Sequence, residues 1–576
     1  MKKKIIRRER IGKLSQLDSS LHPILCRIFD NRGVATEDEI SYALNQLLPW
    51  KQLHSIDLAA HRIVEAIVHN EQLMIVGDYD ADGATSTALI IQALTAFGCK
   101  NVEYFIPDRF KYGYGLSPEI VDSVLPRNPQ LLITVDNGIS SVDGVMHANK
   151  NNIDVIITDH HLAPEILPDA YAIINPNHPD SNFPSKHLAG VGVVFYVTLA
   201  LRAHLKKILW FEQQKIPWPN MAHYLDLVAL GTIADLVPLD YNNRVLIYHG
   251  LKRIRANKTS YGIKALLEVA KRSISTVVSA DLAFAVGPRL NAAGRLDDMS
   301  IGVECLLANN VSTAVTLARQ LDGLNIERRK LETQMQQEAF QIVEKFDIHH
   351  TLPSGLCLYD QKWHPGIIGL VASRIKDKTH RPVIAFSRED TGFLKGSARS
   401  ISGLHIRDLL ADITRLYPEL IHKFGGHSMA AGLTIFEENF TKFQEVFNQY
   451  VSNALKKIGL ENFIKTDGPL QVEDLNLELA EMLRYASPWG QGFEEPLFDG
   501  KFKIINQYLV GQKHLKLILQ LPNIDKYLHA IYFYADLKQW PNHQCASVHA
   551  VYRLNVNEYM ERRQLQLMIQ YLEPVH

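Results

Sequence analysis

Asp78-Tyr79-Asp80-Ala81-Asp82-Gly83 follows directly on Leu73-Met74-Ile75-Val76-Gly77, an apolar run of the length of a buried strand. Carboxylates at alternate positions of the turn crowd negative charge at the end of that strand. Like charges this close raise one another's pKa unless a cation neutralises them. Hard oxygen ligands of this kind suit Mg²⁺ and Mn²⁺. A solvated acidic turn would leave the same trace, so the segment has to be weighed with its neighbours.

Two further apolar runs end the same way. Leu131-Leu132-Ile133-Thr134-Val135 runs into Asp136-Asn137-Gly138, and Asp154-Val155-Ile156-Ile157-Thr158 runs into Asp159-His160-His161. Three strands thus deliver possible ligands at their carboxyl ends, the edge at which open α/β sheets bind ligands where strand order reverses. Leu230-Gly231-Thr232-Ile233-Ala234 adds Asp235 behind another apolar stretch. Alone, Asp235 would read as a helix cap and the histidines as an ordinary pair. Together they compose a set of carboxylates and imidazoles suited to a divalent cation.

The chain has 576 residues, 46% hydrophobic and 21% charged, which is ordinary for a globular enzyme of several domains. A formal net charge of −1 gives no overall electrostatic pull toward nucleic acid and leaves a local basic groove open. Cys26, Cys99, Cys305, Cys357 and Cys545 lack a C-x-x-C spacing, so they are expected to be reduced thiols rather than zinc ligands. Met1-Lys2-Lys3-Lys4-Ile5-Ile6-Arg7-Arg8 is basic without the apolar core of a signal peptide, and no run is long enough to span a bilayer. A cytoplasmic location is expected.

Alternation of apolar and helical patterns predicts strands at 73–77, 102–106, 131–135, 153–157 and 170–174, with a helix from Ala84 to Phe97. Near-continuous apolar strands predict a parallel sheet covered on both faces. Gly190-Val191-Gly192-Val193-Val194 follows no suitable strand and reads as tight helix packing rather than a dinucleotide loop. Residues 312–346 read as one long helix, with Leu317, Leu321, Leu324, Leu331, Met335 and Ile342 on one face and Glu327-Arg328-Arg329-Lys330 solvated. A second α/β domain spans 350–455, and its glycines and the helix starting near Ile367 can receive a phosphate beside Arg399 and His427. From 465 onward, strands at 501–505, 515–520 and 549–554 predict a small barrel, with Pro488-Trp489-Gly490-Gln491-Gly492 a turn before it.

The ordered set DYDADG, VDNG, DHH and GTIAD resembles the DHH phosphoesterase superfamily. The likeness extends to Ile106-Pro107-Asp108-Arg109-Phe110, Gly113-Tyr114-Gly115-Leu116, Gly287-Pro288-Arg289-Leu290-Asn291-Ala292-Ala293-Gly294-Arg295 and Gly425-Gly426-His427-Ser428-Met429-Ala430-Ala431-Gly432. The resemblance implies an α/β architecture. A parallel-sheet DHH domain (51–300) follows an N-terminal segment (1–50). A connecting helix (301–347) leads to a DHHA1 substrate-binding domain (348–458), and a β-barrel of OB type (459–576) closes the chain.

The same resemblance implies a metal-dependent exonuclease digesting single-stranded DNA from its 5′ end, with two divalent cations, Mn²⁺ or Mg²⁺. Asp136 is the expected bridging ligand, Asp78 serves one cation, and Asp80, His160 and Asp235 serve the other. Asp82 is either a ligand or an acceptor behind the ligands, Asp159 orients an imidazole, and His161 is assigned to the scissile phosphate. Arg109, Tyr112 and Tyr114 either line the strand's path or form a packed turn, and Arg289, Asn291 and Arg295 either hold phosphates or buttress the site. Arg399 and His427 are expected to grip the backbone in a cleft too narrow for duplex. Single-strand binding protein and repair helicases are the implied partners of a monomer acting in recombination and repair. A small-substrate phosphoesterase and a non-catalytic scaffold are the competing readings; the C-terminal barrel opposes the first and the complete ligand set the second.

Overall fold

The computed structural model describes residues 3–14, 20–347, 352–389, 392–458, 462–522, 526–559 and 562–575. Met1, Lys2 and the expected domain junctions at 348–351 and 459–461 lie outside the described residues. The chain forms two compact units: Ile5–Gly294, Asp298–Asp322 and Ile464–His576 in one, and Met1–Lys4, Arg295–Asp297 and Gly323–Phe463 in the other.

The larger unit holds a parallel sheet of β1 (Leu73–Gly77), β2 (Val102–Phe105), β3 (Leu131–Val135), β4 (Asp154–Thr158) and β5 (Ala172–Ile174). Their order is β2-β1-β3-β4-β5. Every residue of β1 and β3 is buried, as central strands covered on both faces require. The order reverses between β1 and β3, so a crevice opens where their carboxyl ends diverge.

Helices α1 (Ala81–Ala96), α2 (Gly190–Lys207) and α3 (Leu225–Ala234) pack on one another beside this edge. Helix α1 starts at Ala81, three residues before the predicted Ala84. The reason is local: the Asp80 carboxylate accepts from the amides of Asp82 (2.9 Å) and Gly83 (3.0 Å), a cap worth about 1 kcal/mol. Helix α4 (Gly287–Leu296) follows further along. Helix α5 (Val311–Asp347) begins later than the 301 boundary, because Ser300–Leu307 is a separate helix.

The smaller unit carries the second sheet: β6 (Leu356–Tyr359), β7 (Val383–Arg388), β8 (Phe393–Arg399), β9 (Lys423–Gly426) and β10 (Ala430–Phe436), ordered β9-β10-β8-β7-β6. Only β6 and β7 are parallel. Helix α6 (Ile368–Thr379) covers one face, with Val371, Ala372 and Ile375 packed on Leu356, Leu358 and Met335.

The chain then returns to the larger unit as a closed barrel. Its strands β11 (Phe498–Val510), β12 (His514–Gln520), β13 (Tyr527–Tyr532), β14 (Ser547–Tyr559) and β15 (Arg562–Pro574) run β11-β12-β13-β15-β14 and close through β14 on β11. From Ile5 onward, the N-terminal segment is part of this unit. Arg32 pairs with Asp467 at 2.9 Å with both side chains buried, Phe29 stacks on Trp489 and Phe493, and the Tyr42 hydroxyl meets Ser487 Oγ at 2.7 Å. Among the described residues, no helix is long and apolar enough to cross a membrane.

Candidate metal centre

Asp78 follows β1 and is buried. Asp82, in the first turn of α1, is 1% exposed, and its carboxylate accepts from the Gly190 amide at 2.6 Å and the Val191 amide at 3.0 Å. It therefore caps α2 while reaching the crevice. Asp136 follows β3 in the left-handed region at φ 65°, its amide donating to Thr158 O at 2.9 Å. That conformation is uncommon for a residue with a side chain. Here Asn137 holds it, donating from Nδ2 to Val135 O (2.9 Å) and Val76 O (3.2 Å) and accepting at its carbonyl from Thr134 Oγ1 (2.7 Å).

At the end of β4, buried Asp159 accepts from the amides of Ile139, His160 and His161 and meets His161 Nδ1 at 2.7 Å. It orients His161, not His160. Burial alone would raise the Asp159 carboxyl, but the His161 hydrogen bond and the two imidazoles bring it down to about 2. Burial alone would lower the His161 imidazole, but Asp159 and the charges of Asp235 and Asp78 bring it up to about 9. The Tyr114 hydroxyl lies 3.0 Å from His161 Nδ1 and donates to Asp136 O at 3.1 Å.

His160 Nε2 stands 3.1 Å from Asp136 Oδ1, 3.5 Å from Asp235 Oδ2 and 4.0 Å from Asp82 Oδ2. Ligand atoms converge in three sets with shared members: Asp78, Asp80 and Asp136; Asp82, His160 and Asp235; Asp136, His160 and His161. Asp80 groups with Asp78 and Asp136, whereas the sequence pairs it with His160 and Asp235; its carboxylate also caps α1. Asp82 groups with His160 and Asp235.

Burial first, and then the charge of neighbouring aspartates, pushes Asp78, Asp136 and Asp235 far above the usual carboxylate range and Asp82 up to about 7. Asp136 Oδ1 is buried without a well-aligned hydrogen-bond donor among the described residues. Buried carboxylates left in this state are costly, and hard divalent cations remove the cost. The residues present fit such ions.

Backbone packing makes room for the cluster. A Cβ on Gly190 would sit 2.6 Å from Asp136 Oδ1, and one on Gly231 would sit 2.7 Å from Asp82 Oδ1. Behind the histidines, Asn175 Nδ2 donates to His161 O at 2.9 Å and Asn177 Nδ2 to His160 O at 2.7 Å. Asn291 accepts the Ala81 amide at 2.8 Å and so buttresses α1.

The remaining candidates separate. The Arg109 guanidinium lies 4.5 Å over the Tyr79 ring, whereas Tyr112 turns away, its hydroxyl 3.1 Å from Ser123 Oγ. Arg289 is engaged by Asp322 (2.8 Å) and the Ala285 carbonyl (2.6 Å). In the other unit, Arg295 donates to Gly366 O at 3.0 Å. There too, Arg399 donates to Ser397 Oγ (3.0 Å) and Ala398 O (2.8 Å). It makes no ion pair among the described residues, and a Cβ on Gly369, in the first turn of α6, would lie 2.8 Å from its Nη2. A guanidinium at a helix N-terminus is a ready anion site. His427 is exposed between β9 and β10, its amide donating to Ala430 O at 2.8 Å.

Residues 72–232 match the N-terminal domain of the DHH family, residues 352–453 the DHHA1 domain and residues 466–571 the RecJ OB domain. The single-stranded-DNA-specific exonuclease RecJ of Escherichia coli K12 is 49% identical over 577 residues, covering 100% of both chains. The chain belongs to the RecJ family. The crystal structure of RecJ in complex with Mn²⁺ from Thermus thermophilus superposes with a TM-score of 0.80 at 26% identity, over 100% of this chain and 79% of that one. The Mg²⁺ complex from the same organism shares the fold, with a TM-score of 0.74 at 24% identity over 100% of this chain and 78% of that one. The expected order of parallel-sheet DHH domain, DHHA1 domain and OB barrel is therefore met.

The sequence reading missed the Gly190 and Val191 amides, Gly231 and the Asn175 and Asn177 amides. The signals were present as Asn175-Pro176-Asn177 and Gly190-Val191-Gly192, but nothing local ties them to carboxylates far away in the chain.

Proposed function

We propose that this chain hydrolyses single-stranded DNA from its 5′ end, using two divalent cations, Mn²⁺ or Mg²⁺, held at the end of the parallel sheet. The single observation that carries the reading is that Asp136 and His160 each belong to two of the three ligand sets, as a shared centre demands. Asp136 would be shared by the two cations, with Asp78 and Asp80 holding one and Asp82, His160 and Asp235 the other. Bound there, the cations would supply charge neutralisation at the phosphate and a lowered pKa for the attacking water, which gives up its proton and displaces the oxygen of the departing nucleotide from phosphorus.

The chain's own groups do the rest. His161, kept protonated by Asp159, donates to a non-bridging oxygen of the scissile phosphate. Tyr114 and Arg109 receive the terminal nucleotide, Asn291 keeps the start of α1 in place, and in its own unit Arg399 with His427 holds backbone phosphates. Arg295 supports the same lobe. The barrel binds the trailing strand.

The reading extends to a monomeric cytoplasmic enzyme of recombination and repair, working with single-strand binding protein and repair helicases. The test is a labelled substrate set with Mn²⁺ and with chelator: single-stranded DNA, blunt duplex, tailed duplex and pyrophosphate. Cutting of single strands and tailed duplex alone, from the 5′ end and only with metal, is expected. Preferential hydrolysis of pyrophosphate, or equal cutting of blunt and tailed duplex, would overturn it.

A further inference from the structure

A cavity of about 320 Å³ lies between the last turn of α3, the helix Tyr241–Arg255 and the turn ahead of the barrel. Its wall is largely apolar and aromatic, including Ile233, Leu236, Ala283, Phe284, Tyr485 and Trp489. Phe284 is 71% exposed and Leu236 63% exposed, two large apolar side chains on one wall.

The polar groups on this wall are incomplete. Thr232 Oγ1, Ser279 Oγ and Arg553 Nε are buried without a hydrogen-bond partner among the described residues, and all three residues line the cavity. Such groups are rare, and an ordered water or the polar edge of an occupant completes them. Arg255 also lines it, donating to Val277 O at 3.1 Å and making no ion pair among the described residues. The guanidinium carbons of Arg255 and Arg484 each stand 5.5 Å from the centre of the Tyr485 ring. An apolar pocket with a few convergent polar groups is the ordinary form of a small-ligand site.

We propose that this cavity binds one nucleoside 5′-monophosphate unit, the base on the aromatic wall and the phosphate on Arg255. Thr232 and Ser279 take the remaining polar edges. The volume suits one nucleotide rather than a run of them, and Glu494 and Glu495 on the same wall repel a longer polyanion. The unit comes either free, as released product, or as part of a bound strand. Thr232 and Ile233 belong to the helix capped by Asp235, so an occupant bears on a candidate metal ligand. The inference rests on the nuclease reading for its biological sense but not for its test.

The experiment is calorimetric binding of dAMP and, separately, of a short oligo(dA), both in chelator, to four full-length proteins. Wild type binds dAMP. Arg255→Ala weakens it by at least about tenfold, as loss of a charge-assisted contact does, and Ala283→Phe, which fills the cavity, abolishes it. Asp136→Asn leaves it unchanged, because that residue belongs to the metal centre. If the strand is the source, the oligomer loses affinity in the same two cavity variants; if free product is the source, only dAMP does. Melting curves establish that the cavity variants are folded, and Ser279→Ala gives a milder check, weakening binding about threefold or more. Absence of dAMP binding to wild type together with unchanged oligomer binding in the cavity variants overturns the proposal, as does equal dAMP binding to wild type, Arg255→Ala and Ala283→Phe. Bound dAMP in a protein that fails to cut single strands with Mn²⁺ would sink the nuclease reading and leave this site standing.

Discussion

Asp136 is held at φ 65° by its neighbours and shares its carboxylate among two ligand sets. Asparagine tolerates that backbone, so Asp136→Asn isolates the charge. Hydrolysis should fall by at least about 10³-fold, since metal-centred stabilisation is worth several kcal/mol. The metal-free melting temperature should not fall, because one member of a self-repelling buried cluster is gone. A lower melting temperature with retained turnover would contradict this.

The titrations make a second residue-scale prediction. Asp82 is raised to about 7 and His161 to about 9. In both cases the folded chain binds the proton more tightly than the unfolded one. The Asp82 contribution to stability therefore grows as pH falls through about 7, and the His161 contribution, complete below its ordinary pKa, is lost as pH rises through about 9. Urea unfolding in chelator should accordingly show a more stable protein near pH 6 than near pH 9. Saturating Mn²⁺ should narrow that difference, since the ligands must be deprotonated to bind it. The acids themselves were legible in sequence, because strand ends and carboxylates coincide. The allotment of Asp80 and Asp82 was not, because it depends on which of them caps α1 and which caps α2.

At the scale of elements, glycine placement decides what can pack. A methyl group on Gly190 would collide with the Asp136 carboxylate, so Gly190→Ala should cost about 1–3 kcal/mol and depress turnover. Gly323, within α5, has no atom within 4 Å of the position its Cβ would take. Gly323→Ala should stabilise by about 0.5–1 kcal/mol with activity intact. Paired melting and rate measurements check both, and a harmless Gly190→Ala would remove the close-approach argument.

The strands of the first sheet were readable from apolar runs, with ends displaced by at most two residues at β5. The face of α5 was readable only in part. Its buried stripe uses Ala314, Ala318, Leu321, Asn325, Glu332, Met335, Ala339 and Val343; Leu321 and Met335 of the expected set are in it, and Leu331 and Ile342 pack against the same core while partly exposed. Small residues carry little hydrophobic signal, and Glu332 is buried because Arg328 (2.8 Å) and Arg374 (2.9 Å) pair with it. In the barrel, β13 and β15 escaped notice because polar residues alternate along them, as in Arg562-Arg563-Gln564-Leu565-Gln566-Leu567.

At the scale of the whole molecule, the first 50 residues read as a separate segment, yet they tie into the C-terminal part of the chain. Arg32 and Asp467 form a pair with side chains 2% and 1% exposed, and removing one partner of such a pair costs about 3–5 kcal/mol. Arg32→Ala should lower the denaturant midpoint accordingly, and an unchanged midpoint would show that the N-terminal tie is dispensable. Distant pairing of this kind is invisible to sequence periodicity, whereas the domain order was carried by ordered motifs.

The central claim is that carboxylates and imidazoles gathered at the reversal of the sheet bind the cations that drive hydrolysis. It is tested most directly by titrating Mn²⁺ into wild type and Asp136→Asn by calorimetry, with release of 5′-labelled nucleotides from single-stranded DNA measured on the same samples. The account predicts two Mn²⁺ per wild-type chain, as two-metal hydrolysis requires, and loss of both metal binding and nucleotide release in the variant. A variant that binds Mn²⁺ and releases nucleotides as wild type does would contradict it.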